Sequence, residues 1–252
     1  MKTALRYFSA LTAVSILAGT ACAQTDDFSD GNDTLNPTWT HNSGYVGSSG
    51  QTWTVSGGLY RLQAPNNGMS GYGYVGSFMG PIATDVQVSG LFVSFPGPGT
   101  GGAFGIGARL NGSNALGGLA GYGYAYEPFA SAGLGEMVLY RINPGVSLTD
   151  LGSQQVSLNP AKDYIFLLSI NGPNLHGQVF EMPGLGLVAD KTAVDVTYAN
   201  GVSGLFGYSQ NPLPGTDFSV DSFGVSMVPE PSVWALTGLG ALGLLARRRS
   251  RS

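Results

Sequence analysis

Asp85-Val86-Gln87-Val88-Ser89-Gly90-Leu91-Phe92-Val93-Ser94-Phe95 is the stretch on which the fold turns. Its first half alternates apolar and polar side chains with the period of two that lays one face of a β-strand against a core. The second half is more continuously apolar, so the segment predicts one long strand buried on a face, with a bulge at Gly90. Pro96-Gly97-Pro98-Gly99 stops it, because proline lacks an amide donor and glycine weakens an extended run.

The same pattern recurs on both sides. Thr52–Val55 and Leu59–Leu62 flank Ser56-Gly57-Gly58, which predicts a hairpin with a glycine turn. Tyr164–Ile170 and Leu175–Phe180 flank Asn171-Gly172-Pro173-Asn174 and predict another. Ala103–Leu110, Met137–Ile142, Leu205–Tyr208 and Phe218–Val225 are further strands. Asn66–Gly80 reads as a loop, and the Gly/Tyr/Ala stretch between Leu110 and Met137 as a mobile connection. No stretch of the body sustains helical periodicity, and 40 glycines oppose long helices. About ten to twelve short strands imply an all-β fold, a two-sheet antiparallel β-sandwich. A barrel is the competing arrangement; a solenoid would need a fixed-length repeat, and none is seen. The expected core includes Trp53, Leu59, Val86, Val88, Phe92, Ile106, Leu139, Ile165, Leu167 and Phe223.

The two ends differ from this body. Residues 1–23 carry Lys2 and Arg6, an apolar segment Ala10–Ala18, and the small-x-small series Ala21-Cys22-Ala23. That is the layout of a secretory signal peptide, cut between Ala23 and Gln24. Lipid attachment at Cys22 is the alternative, although Gly19 stands where a lipobox has a large aliphatic residue. With the cut after Ala23 the only cysteine leaves, and neither disulfide nor thiolate chemistry remains. At the other end, residues 228–252 run Val228-Pro229-Glu230-Pro231, an apolar segment 233–246, then Arg247, Arg248, Arg249 and Arg251. The apolar run predicts a short hydrophobic helix. The arginines stay cytoplasmic by the positive-inside rule, and the two prolines leave an extended peptide on the outer side.

This tail resembles the PEP-CTERM sorting signal, in which Pro-Glu-Pro precedes an apolar stretch and a basic terminus. The resemblance implies recognition by an exosortase at Pro229, Glu230 and Pro231, transient membrane anchoring, and delivery to the cell surface or an exopolysaccharide matrix. Three units follow: a signal peptide 1–23, a β-sandwich domain 24–227, and the sorting segment 228–252. Between Gln24 and Val228 stand five cations and fourteen acidic residues, so the body carries about −9 where the whole chain carries −4. A cation-poor surface argues against nucleic-acid and anionic-lipid binding and suits an exported protein that meets neutral sugars or divalent cations.

The order of features in the body is similar to that of the laminin-G-like and concanavalin-A-like jelly rolls. It runs from Asp26-Asp27-Phe28-Ser29-Asp30 and Trp39, through Gly105–Arg109 and Tyr140-Arg141-Ile142, to the hairpin 164–180 and Val220-Asp221-Ser222-Phe223. That resemblance implies glycan binding and structural calcium in many members, with the first and last strands side by side. Asp26 or Asp27 would then meet Asp217 or Asp221 as calcium ligands, the alternative being solvated loop aspartates. For glycans, the Gly-Tyr-Gly-Tyr segments offer Tyr72, Tyr74, Tyr122, Tyr124 and Tyr126 as stacking rings; alternating tyrosines equally suit one covered face of a strand. The paired-carboxylate strand of sandwich glycosidases is absent, and none of Glu127, Glu136 and Glu181 has an acidic neighbour along its strand. Only a pair dispersed in sequence, such as Asp85 with Glu136, would support hydrolysis. His41 and His176 lack metal spacing and read as surface or hairpin residues, and no serine sits in a nucleophile elbow. The sequence therefore predicts a non-enzymatic structural or adhesive surface protein with glycan binding, a polysaccharide hydrolase being the alternative.

Overall fold

The structure is a computed structural model that describes residues 23–42, 50–64, 72–113, 118–144, 147–210 and 215–228. The expected signal peptide before Ala23, with Cys22, and the tail from Pro229, with its apolar run, lie outside these residues. Fifteen strands follow in chain order, beginning with β1 (Ala23–Asp26), β2 (Thr40–Asn42), β3 (Thr52–Ser56), β4 (Leu59–Ala64) and β5 (Tyr72–Ala83). Next come β6 (Val86–Ser94), β7 (Ala103–Ser113), β8 (Gly118–Glu127), β9 (Glu136–Asn143) and β10 (Ser147–Gln155). The chain closes with β11 (Tyr164–Asn171), β12 (Asn174–Glu181), β13 (Gly186–Val194), β14 (Gly201–Gln210) and β15 (Thr216–Met227). A short turn, Ala130–Gly133, with Ser131 and Ala132 at φ 52° and 59°, joins β8 to β9. Among the described residues no helix is long and apolar enough to cross a membrane.

The strands form two antiparallel sheets. One has eight strands, ordered β13-β12-β11-β6-β15-β4-β3, with β1 also paired to β15; the other has seven, ordered β10-β9-β8-β7-β14-β5-β2. This is the expected sandwich. The Asp85–Phe95 stretch becomes β6, flanked by β11 and β15, and its inward residues Val86, Val88 and Phe92 are buried as the alternation requires. Gly90 pairs regularly with Phe166 and Phe223, so the expected bulge is not there. The register instead shifts in β15, between Ser219 and Ser222. Gly90 faces inward, and a Cβ on it would come within 3.3 Å of the Phe92 ring and 3.4 Å of Ile106. Both hairpins form as expected, and Gly57 and Gly58 (φ 63° and 79°) make the turn of the first.

Two expected connections are strands instead. Part of Asn66–Gly80 belongs to β5, and the Gly/Tyr/Ala stretch forms β8. In β8 the tyrosines face the interior and the glycines face out. The Tyr124 ring reaches across to the other sheet, where a Cβ on Gly177 would lie 2.6 Å from it; on the outer side a Cβ on Gly123 would lie 2.6 Å from the Phe206 ring. Glycine is required at both places to admit a neighbouring ring. The core is correspondingly aromatic: Phe92 lies 4.4 Å from Phe166 and 5.3 Å from Phe104, and Trp39 lies 5.1 Å from Phe223, centroid to centroid. Three expected core residues are only partly buried. Leu59 and Leu167 fall on the outward phase of strands whose inward positions are Tyr60, Leu62, Phe166 and Leu168. Trp53 stacks on His41 at 4.7 Å, with its Nε1 donating to the Gly76 carbonyl at 3.0 Å.

Arg109 ties the loops together at one end. It is 3% exposed and has φ 50° at a register shift of β7. Its Nε donates to the Thr84 carbonyl at 2.6 Å, Nη1 to Tyr198 at 2.9 Å, and Nη2 to Gly172 at 2.8 Å and to Asp85 Oδ1 at 3.3 Å. Burial pulls the guanidinium pKa down from its ordinary value, and the Asp85 charge opposes that pull. Truncating the side chain strands three carbonyls and a carboxylate, so Arg109→Ala is expected to cost about 3–5 kcal/mol. Arg109→Lys keeps the charge but not the planar fork and is expected to fall between. Thermal melting of both variants measures the order; a melt for Arg109→Ala within a degree of the parent removes the clamp's role.

Candidate functional site

The outer face of the seven-stranded sheet carries its own apolar layer. Ala103, Ala125, Val138, Tyr140, Ile142, Phe206 and Tyr208 form a buried cluster distinct from the inter-sheet core. Successive residues of a strand point to opposite faces, so this layer alternates with the inward Phe104, Tyr124, Tyr126, Leu139 and Leu205. At the end of that face where β8 stops, Glu127 stands across the strand pair from Glu136. The hydroxyls of Tyr140 and Tyr208 both donate to Glu127 Oε1, and the two hydroxyls lie 3.2 Å apart. Ser131 donates to Glu136 Oε2 at 3.2 Å, and the Phe129 ring meets Tyr208 edge-on at 6.3 Å. Asp150 pairs with Tyr140 across β10 and β9.

Burial is the main cause that raises the Glu127 pKa; the Tyr140 hydrogen bond opposes it, and the charges of Glu136 and Asp150 add to it. Tyr140 is also pushed above the ordinary phenol range, by burial first and then by the Glu127 charge. The result is a carboxyl with one oxygen fixed by two phenols, a second carboxylate opposite, and aromatic walls. Such a group accepts hydroxyl hydrogen bonds through its other oxygen. At the opposite end of the face lies an open cavity of about 260 Å³, with Thr38, Thr40 and Asn42 on its polar side and Phe78, Leu110 and Val202 on its apolar side.

Three of the five expected stacking tyrosines face the core. Tyr122, Tyr124 and Tyr126 are fully buried between the sheets and offer no ring to a sugar. Tyr122 donates to Asp195 Oδ1 at 2.7 Å, and burial pushes its pKa up to about 12. The Tyr126 hydroxyl accepts the Leu158 amide at 3.3 Å, and the Tyr124 hydroxyl is buried without a partner. Tyr72 and Tyr74 belong to β5, but their side chains lie outside the described residues.

The four aspartates do not assemble into one cation site. β1 does lie beside β15, with Asp26 opposite Phe223. Asp26 is nevertheless occupied: Oδ1 accepts the Phe28 amide at 2.8 Å and Oδ2 the Trp39 indole at 2.7 Å. Asp217 is held by Arg61 at 2.8 and 2.6 Å and by Gln63 at 3.0 Å. Asp27 Oδ1 accepts the amide and hydroxyl of Ser29 at 3.1 and 2.7 Å. Asp221 has its pKa raised by burial and then by the charges of Asp163 and Asp27. Calcium wants six to eight oxygens, and among the described residues no group of three His, Cys, Asp or Glu side chains is placed to hold a metal ion. The donors present do not fit that ion.

Asp85, suggested as a partner for Glu136, serves the Arg109 end and accepts the Gly172 amide at 2.8 Å. His41 contacts Asp33 at 2.7 Å and Tyr60 at 3.1 Å, and His176 contacts Asp190 at 2.7 Å. Glu127 and Glu136 were within reach of the sequence. Closing the chain between Tyr126 and Met137 as a hairpin sets them opposite one another, whereas searching along single strands misses them.

Residues 228–250 are a PEP-CTERM protein-sorting motif. No curated protein matches the sequence. Among solved structures, the exoplasmic/lumenal domain of VIP36 in its Ca2+/Man3GlcNAc-bound form is similar at a TM-score of 0.57 and 10% identity, over 82% of this chain and 89% of that one. The CBM2 module of the evolved Dit of Lactobacillus casei phage J-1 gives 0.54 at 13% identity, over 83% and 98%. LamA from Zobellia galactanivorans, in complex with laminaritriose and laminaritetraose, gives 0.52 at 11% identity, over 83% and 100%. These similarities show the fold: the body is a jelly-roll β-sandwich.

Two expectations follow from the buried polar groups. The sign for Glu127 is that of a raised carboxyl: the folded state holds the proton more tightly than the unfolded chain. Its contribution to stability is greatest at low pH and is lost as pH rises from the ordinary carboxyl value, about 4.3, through the raised one. Glu127→Gln keeps an acceptor for the phenols without the charge. Its melting temperature is therefore expected to gain on the parent as pH goes from 4 to 7, and parallel curves would remove the buried-carboxyl account. Tyr124→Phe deletes an unpartnered hydroxyl and is expected to stabilise by about 1 kcal/mol, read as a higher denaturation midpoint.

Proposed function

We propose that the protein is an exported, non-catalytic carbohydrate-binding protein, processed by an exosortase and displayed at the cell surface or in an extracellular polysaccharide matrix. The sorting motif supports the export and the temporary anchor. The observation that carries the binding role is the convergence of the Tyr140 and Tyr208 hydroxyls on Glu127 Oε1, on the outer face of a sheet. Sugar recognition needs fixed hydrogen-bonding groups; Tyr140 and Tyr208 are themselves buried, and they fix the half-buried Glu127, which is the group that meets the sugar. VIP36 and the phage module, whose names speak of a bound oligosaccharide and a carbohydrate-binding module, share the fold and support the reading. With about −9 on the body, an anionic polymer is repelled, so neutral glycans are the class expected.

One observation favours a second reading. Glu127, a carboxyl with a raised pKa, faces Glu136 across β8 and β9, and hydrolysis of a glycosidic bond needs an acid and a second carboxylate. Binding ranks first because Oε1 of Glu127 is already fixed as an acceptor by two phenols.

Affinity electrophoresis through gels cast with neutral glucans separates the two. Retardation of the parent, weakened about tenfold or more by Glu127→Ala and Tyr208→Phe, is the expected result. New reducing ends that disappear with Glu136→Gln would establish the hydrolase instead, and retardation unaffected by either substitution would move the site off this face.

A further inference from the structure

The end of the sandwich held by Arg109 is also the end from which the sorting tail leaves. The Val228 amide donates to the Asp85 carbonyl at 3.0 Å, one residue before Pro229. The expected signal-peptide cut is at the same end, because Ala23 pairs with Ser226 and Gln24 with Val225. Ala23 and Val228, the described residues that border the two expected processing points, therefore lie at one pole.

That pole carries the three most exposed large apolar side chains among the described residues: Val196 at 80%, Val194 at 71% and Ile82 at 69%. Their place is set by bonds. Ile82 precedes Thr84 and Asp85, which Arg109 holds. Val194 pairs with Asn174, and the amide of its neighbour Asp195 donates to the Pro173 carbonyl at 2.9 Å, beside the Gly172 that Arg109 also binds. A single exposed valine needs no explanation; three at the tail's exit do. The pole's charges are matched, Asp85 by Arg109 at 3.3 Å and Asp195 by Arg141 at 2.8 Å, although the body as a whole is acidic. Four residues, and so five backbone steps, separate Val228 from the start of the apolar run at Val233. Extended, they span at most about 18 Å, against a polar headgroup layer of about 5–7 Å per leaflet.

We infer that, while the tail is attached, the pole formed by Ile82, Val194 and Val196 rests in the lipid headgroup interface and stands the sandwich upright on the membrane, with the Glu127 end facing away. This rests on the sorting reading. A patch that is apolar, charge-matched and tethered within a few residues of the bilayer loses water at little electrostatic cost. The occupant is the bilayer because the tail delivers this pole to it before any other surface.

The test uses the full chain with Cys22→Ser, carrying a single fluorophore at Ile82→Cys, Val196→Cys or Leu187→Cys. Leu187 is also exposed, at 52%, but lies at the other end of β13 and serves as the control. The chains are reconstituted into phosphatidylcholine vesicles containing a lipid with a shallow nitroxide, and tail integrity is checked by mass. Labels at Ile82 and Val196 are expected to be quenched about twofold or more relative to Leu187, since only they enter the headgroup layer. Equal quenching at all three sites in chains that float with the vesicles overturns the pole contact alone. Self-quenching between labelled copies without lipid quenching assigns the face to a second copy and overturns it too. A chain with intact tail that does not float overturns the anchoring reading and, with it, the inference.

Discussion

Everything at one end of this sandwich depends on a single buried guanidinium. The connections β5–β6, β11–β12 and β13–β14 reach the same pole from different sheets, and each ends with a carbonyl that no strand satisfies. Arg109 takes one from each, at Thr84, Gly172 and Tyr198, and adds the Asp85 carboxylate. Burying a cation is costly unless its donors are matched. Here four acceptors surround them, and the planar fork reaches all four from a residue that itself sits at a break in register. The body has only five cations, and one is used wholly inside the structure.

The space between the sheets is governed by a second constraint, the exchange of volume between tyrosine and glycine. β8 sends Tyr122, Tyr124 and Tyr126 inward, where they help fill the gap between the sheets, and presents Gly121, Gly123 and Ala125 outward. The outer face can then hold Phe206 flat against the sheet, and the opposite sheet answers Tyr124 with Gly177. A high glycine content, which at first suggests loops, is here what lets a strongly aromatic core close without clashes.

This explains which parts were legible from residues alone. β3, β4, β6, β11 and β12 announce themselves because valine, isoleucine, phenylalanine or tyrosine alternates with polar residues between clear turns. β5 and β8 do not, because glycine on one face of the strand carries the same local signal as a loop; only the partner rings reveal its purpose. β10 and β13, the neighbouring edges of the two sheets, are too polar for hydropathy to find. The sorting motif was legible because its three parts are contiguous in sequence. The outer-face cluster was not, because Glu127, Tyr140 and Tyr208 come from three strands and meet only through pairing. Tyr122, Tyr124 and Tyr126 alternate along β8, but alternation gives two faces and does not name the wet one.

The pairing of β1 with β15 also bears on the proposed cut after Ala23. One edge of β15 is shared end to end: β4 covers Thr216–Val220, and β1 covers Phe223–Ser226. A cut after Ala23 leaves Gln24, Thr25 and Asp26 in place, with three of the four pairs intact. Asp26 is the residue that also anchors the Trp39 indole and the Phe28 amide at the aromatic corner formed with Tyr60 and Phe223. A cut a few residues later would free the β15 edge and remove that anchor together. It would leave backbone donors and acceptors unpaired on the strand that runs straight into Val228 and the sorting motif. The short first strand thus links the two ends: under the proposed cut after Ala23, Gln24–Asp26 would still hold the segment that leads to Val228.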